Sequence, residues 1–373
     1  MSWQNKSGEA NKNLLTDDEY WRLFNFVFSS QSKKTSTYKF ALIKSILDNL
    51  FNNNPSGDFQ IVSYQDIFSK FAECFWNLVV KYHLHQQKPY SDGKTYVLKT
   101  SKIEQIFKAA IQKNPVLKNI EFNSIDEKTK LSLVNKVQNE CKKYVLGALY
   151  GDFEGKIYSF DTNENFIKIT NGAYQFMAKY KVEIEKLNYY EWAKFLEKIN
   201  ADNVLFHLLS KLELSLPERE PLDIYRKILF TEFEQTNCFY CGKKLKPENN
   251  KIHVDHFIPW SFIKEDKLWN FVLSCPECNL KKNNLLPSHN MILKIQKQNQ
   301  IILNQNDEKN FKIKQNSSFI KNQFANYNAN IIDNLWNYAK FAGFKTMNEK
   351  ESNSIVYKIN PNENFLKIAN PQC

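Results

Sequence analysis

Residues 237–287 read NCFYCGKKLKPENNKIHVDHFIPWSFIKEDKLWNFVLSCPECNLKKNNLLP. Two C-x-x-C hooks, Cys238/Cys241 and Cys275/Cys278, bracket a segment that carries His253, Asp255 and His256. A two-residue spacer lets both sulfurs of a hook face one ion, so four such thiolates suit tetrahedral Zn²⁺. The gap between the hooks exceeds that of a common zinc ribbon, so the segment holds something more. It holds a cluster of harder ligands and a base: H-V-D-H, then Asn270, then Asn279 directly after the last cysteine.

Zinc prefers the soft sulfurs, whereas a carboxylate and an amide oxygen suit Mg²⁺ or Mn²⁺. Two interleaved ligand sets of different hardness imply two metals with two tasks. Zinc would hold the fold, and the second, more open ion would take part in chemistry. On a strand, His253 and Asp255 share one face and His256 points to the other. His253 is open to three readings: a further metal ligand, a group that supports one, or a surface or packing histidine.

The pattern resembles the HNH nuclease family, with its ββα-metal fold. The likeness rests on D-H-x-x-P (Asp255, His256, Pro259), on Ser261 and Asn270, and on the C-x-x-C-N-x-x-K run ending in Asn279 and Lys282. It implies two short strands before one helix, Asp255 and Asn279 on a divalent metal, His256 as general base, and Asn270 bracing the histidine loop. The four cysteines correspond to the structural zinc site of a subset of the family. Asn279 stands where the third signature position is often His, a departure that favours Mg²⁺ or Mn²⁺. The same variant occurs in active members such as a phage junction-resolving endonuclease. HVDHFIPWSF is also similar to the HNH domain of RNA-guided DNA-cutting effectors, but this chain is far too short to be one.

The residue types fit hydrolysis without the family. A divalent ion offsets charge at a phosphodiester and its leaving oxygen, and an imidazole can take a proton from water. Two cysteine hooks alone also build zinc modules that bind DNA or protein and catalyse nothing. Such a module has no use for D-H-x-x-P and C-N-x-x-K.

The 373 residues accommodate two domains, and 42% apolar content with 29 Phe and 18 Tyr supplies a real core. Seven cysteines, an odd number with only four in the hooks, argue against a disulfide-bridged secreted scaffold. The start MSWQNKSGEANKN has no hydrophobic signal region and no apolar run approaches a membrane span, so the expected location is the cytoplasm. A net charge of +11 favours a polyanionic partner, and nucleic acid is the obvious one.

Along the chain, residues 1–15 read as a disordered lead. Thr16–Glu19 is a capping box opening the first of several amphipathic helices, and Ser101–Glu104 is another. KIYSF and NFIKI form an expected hairpin near 156–169. The aromatics of LNYYEWAKFL (187–196) fall at helical spacing and read as core. LPEREP (216–221) reads as a linker, residues 325–341 as a helix, and SIVYKI (354–359) as a strand. Between Lys281 and Asn322 there are eight Lys against two acidic residues, a run suited to a phosphate backbone or to a solvated face.

The expected architecture is mostly α (α+β): a helical N-terminal domain over 16–220, an HNH module over 221–290 and a helical C-terminal extension over 291–373. The expected activity is metal-dependent endonucleolytic cleavage of DNA, with Lys281 and Lys282 as phosphate contacts. The setting resembles bacterial restriction or anti-phage defence, with a homodimer or a defence-system subunit as possible further partner. A zinc-stabilised DNA-binding or assembly protein, or a homing nuclease, are the competing readings.

Overall fold

The structure is a computed structural model that describes residues 5–10, 14–52, 54–91, 96–97, 100–205, 207–213, 222–245, 252–304, 312, 317–325, 327–328 and 330–347. The linker expected at 216–221 and the strand expected at 354–359 lie outside the described residues. The chain divides into two compact units, Met1–Arg219 and Glu220–Cys373. The fold is mostly α, with small antiparallel sheets.

The first unit runs β1 (Ser7–Gly8), α1 (Asp17–Phe28), α2 (Tyr38–Asp48), β2 (Asn54–Ser56), β3 (Phe59–Ser63), α3 (Tyr64–Trp76), β4 (Tyr90–Ser91) and β5 (Tyr96–Val97). It continues with α4 (Lys102–Lys113), α5 (Glu127–Asp152), β6 (Tyr158–Asp161), β7 (Phe166–Thr170), α6 (Asn171–Lys179), α7 (Lys181–Glu197), α8 (Asp202–Leu205) and α9 (Leu208–Glu213). Both expected capping boxes close: Thr16 and Ser101 each accept from the backbone of the glutamate three residues on, which bonds back to the cap. The β6–β7 hairpin is present, and it belongs to a five-stranded antiparallel sheet in the order β1-β6-β7-β3-β2. Tyr189, Trp192 and Phe195 of the aromatic run are buried, while Tyr190 stays exposed.

The lead expected to be disordered over 1–15 contributes β1 instead, which pairs with β6. Its anchor is Tyr150, whose hydroxyl donates to the Glu9 carbonyl at 2.7 Å. The same ring lies 2.4 Å from where a Cβ on Gly8 would sit, so only glycine admits this approach.

The second unit contains α10 (Asp223–Thr231), β8 (His253–His256), α11 (Trp260–Ile263), β9 (Phe271–Ser274), α12 (Pro276–Lys282), α13 (Ile292–Leu303), α14 (Ser317–Phe324) and α15 (Asn330–Phe341). The helix expected over 325–341 is shorter and begins at Asn330, whose N–H donates to the Asn328 side chain at 3.1 Å. A separate helix, α14, precedes it. Two four-residue strands are too small to stand alone, and the surrounding elements hold them. The Gln235 amide pairs with both backbone groups of Leu273, at 2.9 and 3.1 Å. From α13, Asn299 donates to Trp269 O at 2.7 Å and Gln298 to Phe271 O at 3.0 Å. Tyr225 of α10 packs on Phe271, ring centroids 4.6 Å apart.

Candidate metal centre and active site

The sulfurs of Cys238, Cys241, Cys275 and Cys278 lie within 4.8 Å of one another. The Cys241 and Cys275 sulfurs are 3.8 Å apart, which is the edge of a tetrahedron with zinc–sulfur bonds of about 2.3 Å. The first hook is shaped by a turn in which Gly242 N donates to Cys238 O at 2.9 Å, with Gly242 at φ +73°. The second hook opens α12, with Pro276 in its first turn. Burial pushes the Cys278 thiol up, and the neighbouring sulfurs push it further. Burial also raises Cys238, but backbone N–H groups of Cys241, Cys275 and Tyr240 outweigh it and hold that thiol at about 7. Four crowded sulfurs in this state need a cation before all can ionise, and the set fits zinc.

β8 and β9 pair antiparallel, with Asp255 opposite Val272 and His256 opposite Phe271. The strand therefore runs through His256, so Asp255 and His256 point to opposite faces. Asp255 Oδ2 accepts from the Tyr240 hydroxyl at 2.5 Å and lies 3.4 Å from Lys282 Nζ. Oδ1 has no protein partner among the described residues, which leaves it open to a cation. Burial and the Asp255 charge hold the Tyr240 phenol far above its ordinary range, so it stays a donor.

The His256 ring is sandwiched rather than free. Its Nε2 lies 2.7 Å from Asp266 Oδ1, and the ring tilts over Phe271 at 4.5 Å between centroids. Asn270 ties down the loop that follows: its Oδ1 accepts from Ile258 N at 2.8 Å, its Nδ2 donates to Ile258 O at 2.9 Å, and its carbonyl accepts from Phe257 N at 2.7 Å. Asn279, on α12, meets His253 with its amide nitrogen 2.9 Å from the ring Nδ1. That contact brings Asn279 to the end of β8 on the face that His253 shares with Asp255. Among the described residues, the four cysteines form the one cluster of at least three Cys, His, Asp or Glu groups that could share an ion. A second ion would therefore depend on the Asn279 amide as well as on Asp255.

Lys282 overturns an expectation. It is fully buried, donates to the His256 carbonyl at 2.6 Å and faces Asp255, so it does not reach a phosphate. Burial pulls its pKa down, with the Asp255 carboxylate opposing. Lys281, the next residue back on the same short helix, is exposed. Two residues that the sequence reading passed over join the site: Tyr240, inside the first hook, and Asp266, in the IKEDK run. Tyr240 carries a signal in retrospect, because any residue between paired metal ligands is placed by them. Asp266 carries none.

Two short antiparallel strands, β8 and β9, lead into one helix, α12, with four cysteines gathered beside them. Residues 238–288 match the family model described as HNH endonuclease, so this part of the chain is an HNH domain. No curated protein and no solved structure matches the chain. Among the described residues, no helix is long and apolar enough to cross a membrane.

Proposed function

We propose that the chain is an endonuclease that hydrolyses DNA phosphodiester bonds with the help of Mg²⁺ or Mn²⁺, and that zinc on Cys238, Cys241, Cys275 and Cys278 is structural. The observation that carries this reading is the pair Asp255–His256 on one strand of the HNH module, each side chain held by its own partner, Tyr240 and Asp266 respectively. Asp255 Oδ1 and the Asn279 amide oxygen would hold the divalent cation, and His253 orients Asn279 through the 2.9 Å contact. When bound, that cation offsets charge at the scissile phosphate and at the leaving 3′ oxygen. His256 takes the proton of the attacking water. With Asp266 on Nε2, the ring carries its proton there and Nδ1 is the accepting atom. Asn270 keeps the loop after His256 from shifting. The products are a 5′-phosphate and a 3′-hydroxyl.

Lys281 and the basic run that follows it approach the phosphate backbone, consistent with the net charge of +11. The biological setting we favour is restriction or anti-phage defence in the cytoplasm. There the first unit would recognise sequence or modification, or dock a second copy or a partner subunit. The test is nicking of supercoiled plasmid with Mg²⁺ or Mn²⁺. His256→Ala should lower the rate at least 100-fold, the scale of general-base catalysis, with zinc content and fold retained. Unchanged behaviour of His256→Ala, with all activity confined to salt-dependent DNA binding, would instead support a zinc-stabilised binding module.

A further inference from the structure

The first cysteine hook carries more than two sulfurs. Between Cys238 and Cys241 stand Phe239 and Tyr240, and the Tyr240 hydroxyl reaches Asp255. We infer that Tyr240 is a positioning residue that couples the four-thiolate site to the cation-binding carboxylate, fixing Asp255 Oδ2 so that Oδ1 serves the divalent ion. This rests on the nuclease reading of the same site.

Three observations carry it. The hook is rigid on both sides of Tyr240: Cys238 N donates to Lys243 O at 2.8 Å, and Phe239 N donates to Leu273 O of β9 at 2.9 Å. The Phe239 ring is clamped edge-to-face on Phe257, 5.8 Å between centroids, while the Lys294 ammonium lies 4.4 Å from its centroid and donates to the Phe239 carbonyl. The backbone around Tyr240 therefore cannot move independently of the two cysteines on either side of it. Second, the contact is a short bond between a neutral donor and an anion, at 2.5 Å, the strong class of hydrogen bond. Third, Asp255 Oδ2 has only the Lys282 ammonium as its other partner, at 3.4 Å. Without Tyr240 the carboxylate would be free to rotate toward that lysine and present a different oxygen.

Partners of ligating carboxylates typically change metal affinity or activity by about 10–100-fold when removed. The test compares wild-type protein with Tyr240→Phe, which keeps the ring, and Tyr240→His, whose ring N–H can donate in place of the hydroxyl. Bound zinc is measured by atomic absorption, Mn²⁺ binding by the electron paramagnetic resonance signal of the free ion, and nicking as a function of Mn²⁺ concentration. Tyr240→Phe should keep its zinc, bind Mn²⁺ about 10–100-fold more weakly, and recover nicking as Mn²⁺ is raised. Tyr240→His should regain part of the affinity. Mn²⁺ affinity equal to wild type in Tyr240→Phe overturns the inference while leaving the nuclease reading intact. Loss of zinc in both variants also overturns it, because Tyr240 would then be a structural part of the hook. A wild-type protein that neither binds Mn²⁺ nor nicks DNA removes the nuclease reading, and this inference with it.

Discussion

Replacing Lys282 with methionine tests whether this residue belongs to the interior or to the DNA surface. Methionine keeps most of the stem volume, so the cavity contribution is small and the change isolates the ammonium. That group is fully buried, donates to His256 O at 2.6 Å and stands 3.4 Å from Asp255 Oδ2. Losing a hydrogen bond from a charged donor costs about 1.5–3 kcal/mol. Breaking a buried ion pair from one side costs about 3–5 kcal/mol, chiefly because the remaining charge is left uncompensated. Two features pull the expected cost to the lower end of that range. Tyr240 still donates to Asp255, and Asp255 keeps 9% of its surface exposed. Burial of the ammonium is itself unfavourable, as the lowered Lys282 pKa indicates. The expected loss is about 3 kcal/mol.

Because the chain has two units, a single unfolding transition is not assured, and a probe confined to the second unit is needed. Zinc released to a chromogenic chelator during urea titration is such a probe. With a slope of about 1.5–2 kcal/mol/M, the zinc-release midpoint should fall by roughly 1.5–2 M. A lysine that touches DNA behaves otherwise: stability is unchanged, and the salt dependence of binding falls by about one unit. A midpoint within about 0.3 M of wild type, together with that smaller salt slope, would refute the buried role.

Two further substitutions separate scaffold from chemistry. Cys275→Ser removes one sulfur from the cluster, the one that stands 3.8 Å from the Cys241 sulfur. Structural zinc contributes on the order of 10 kcal/mol to small modules, so zinc content and the near-ultraviolet circular dichroism of the second unit should both collapse. Asp266→Ala leaves the His256 ring without its 2.7 Å partner. It should lower kcat about 10–100-fold, the kinetic equivalent of one charged hydrogen bond, with KM for DNA and Mn²⁺ affinity near wild type.

How much of this could be read from the chain follows from which constraints are local. The cysteine hooks were readable because metal geometry restricts residue type at fixed spacing, and the sulfurs do converge within 4.8 Å. The hairpin near 156–169 was readable because alternation and its turn are local as well. The sheet around it was not. Pairing of β3 with β7 sets Phe59 opposite Thr170, and β1 docks on β6 through a tyrosine more than a hundred residues away. Nothing within either segment names its partner. The helix read over 325–341 is present as α15, from Asn330, but α14 (Ser317–Phe324) lay outside that reading, because it is short and rises directly out of a polar stretch.

Lys281 and Lys282 show the limit most sharply. Successive residues on a helix differ by about 100° in direction, so a basic pair at the end of a seven-residue helix sends one side chain outward and the other inward. Charge alone favours solvent for both. What reverses that preference at Lys282 is a set of acceptors brought from elsewhere: the Asp255 carboxylate and the His256 carbonyl on β8. The strand in turn receives Tyr240 from the zinc hook and Asp266 from the loop beyond α11. Each of the two motif residues that define the D-H pair is thus bound by side chains that the motif does not contain. The sequence pattern names Asp255 and His256, and the folded neighbours decide which of their atoms are already bonded: Oδ2 of Asp255 and Nε2 of His256.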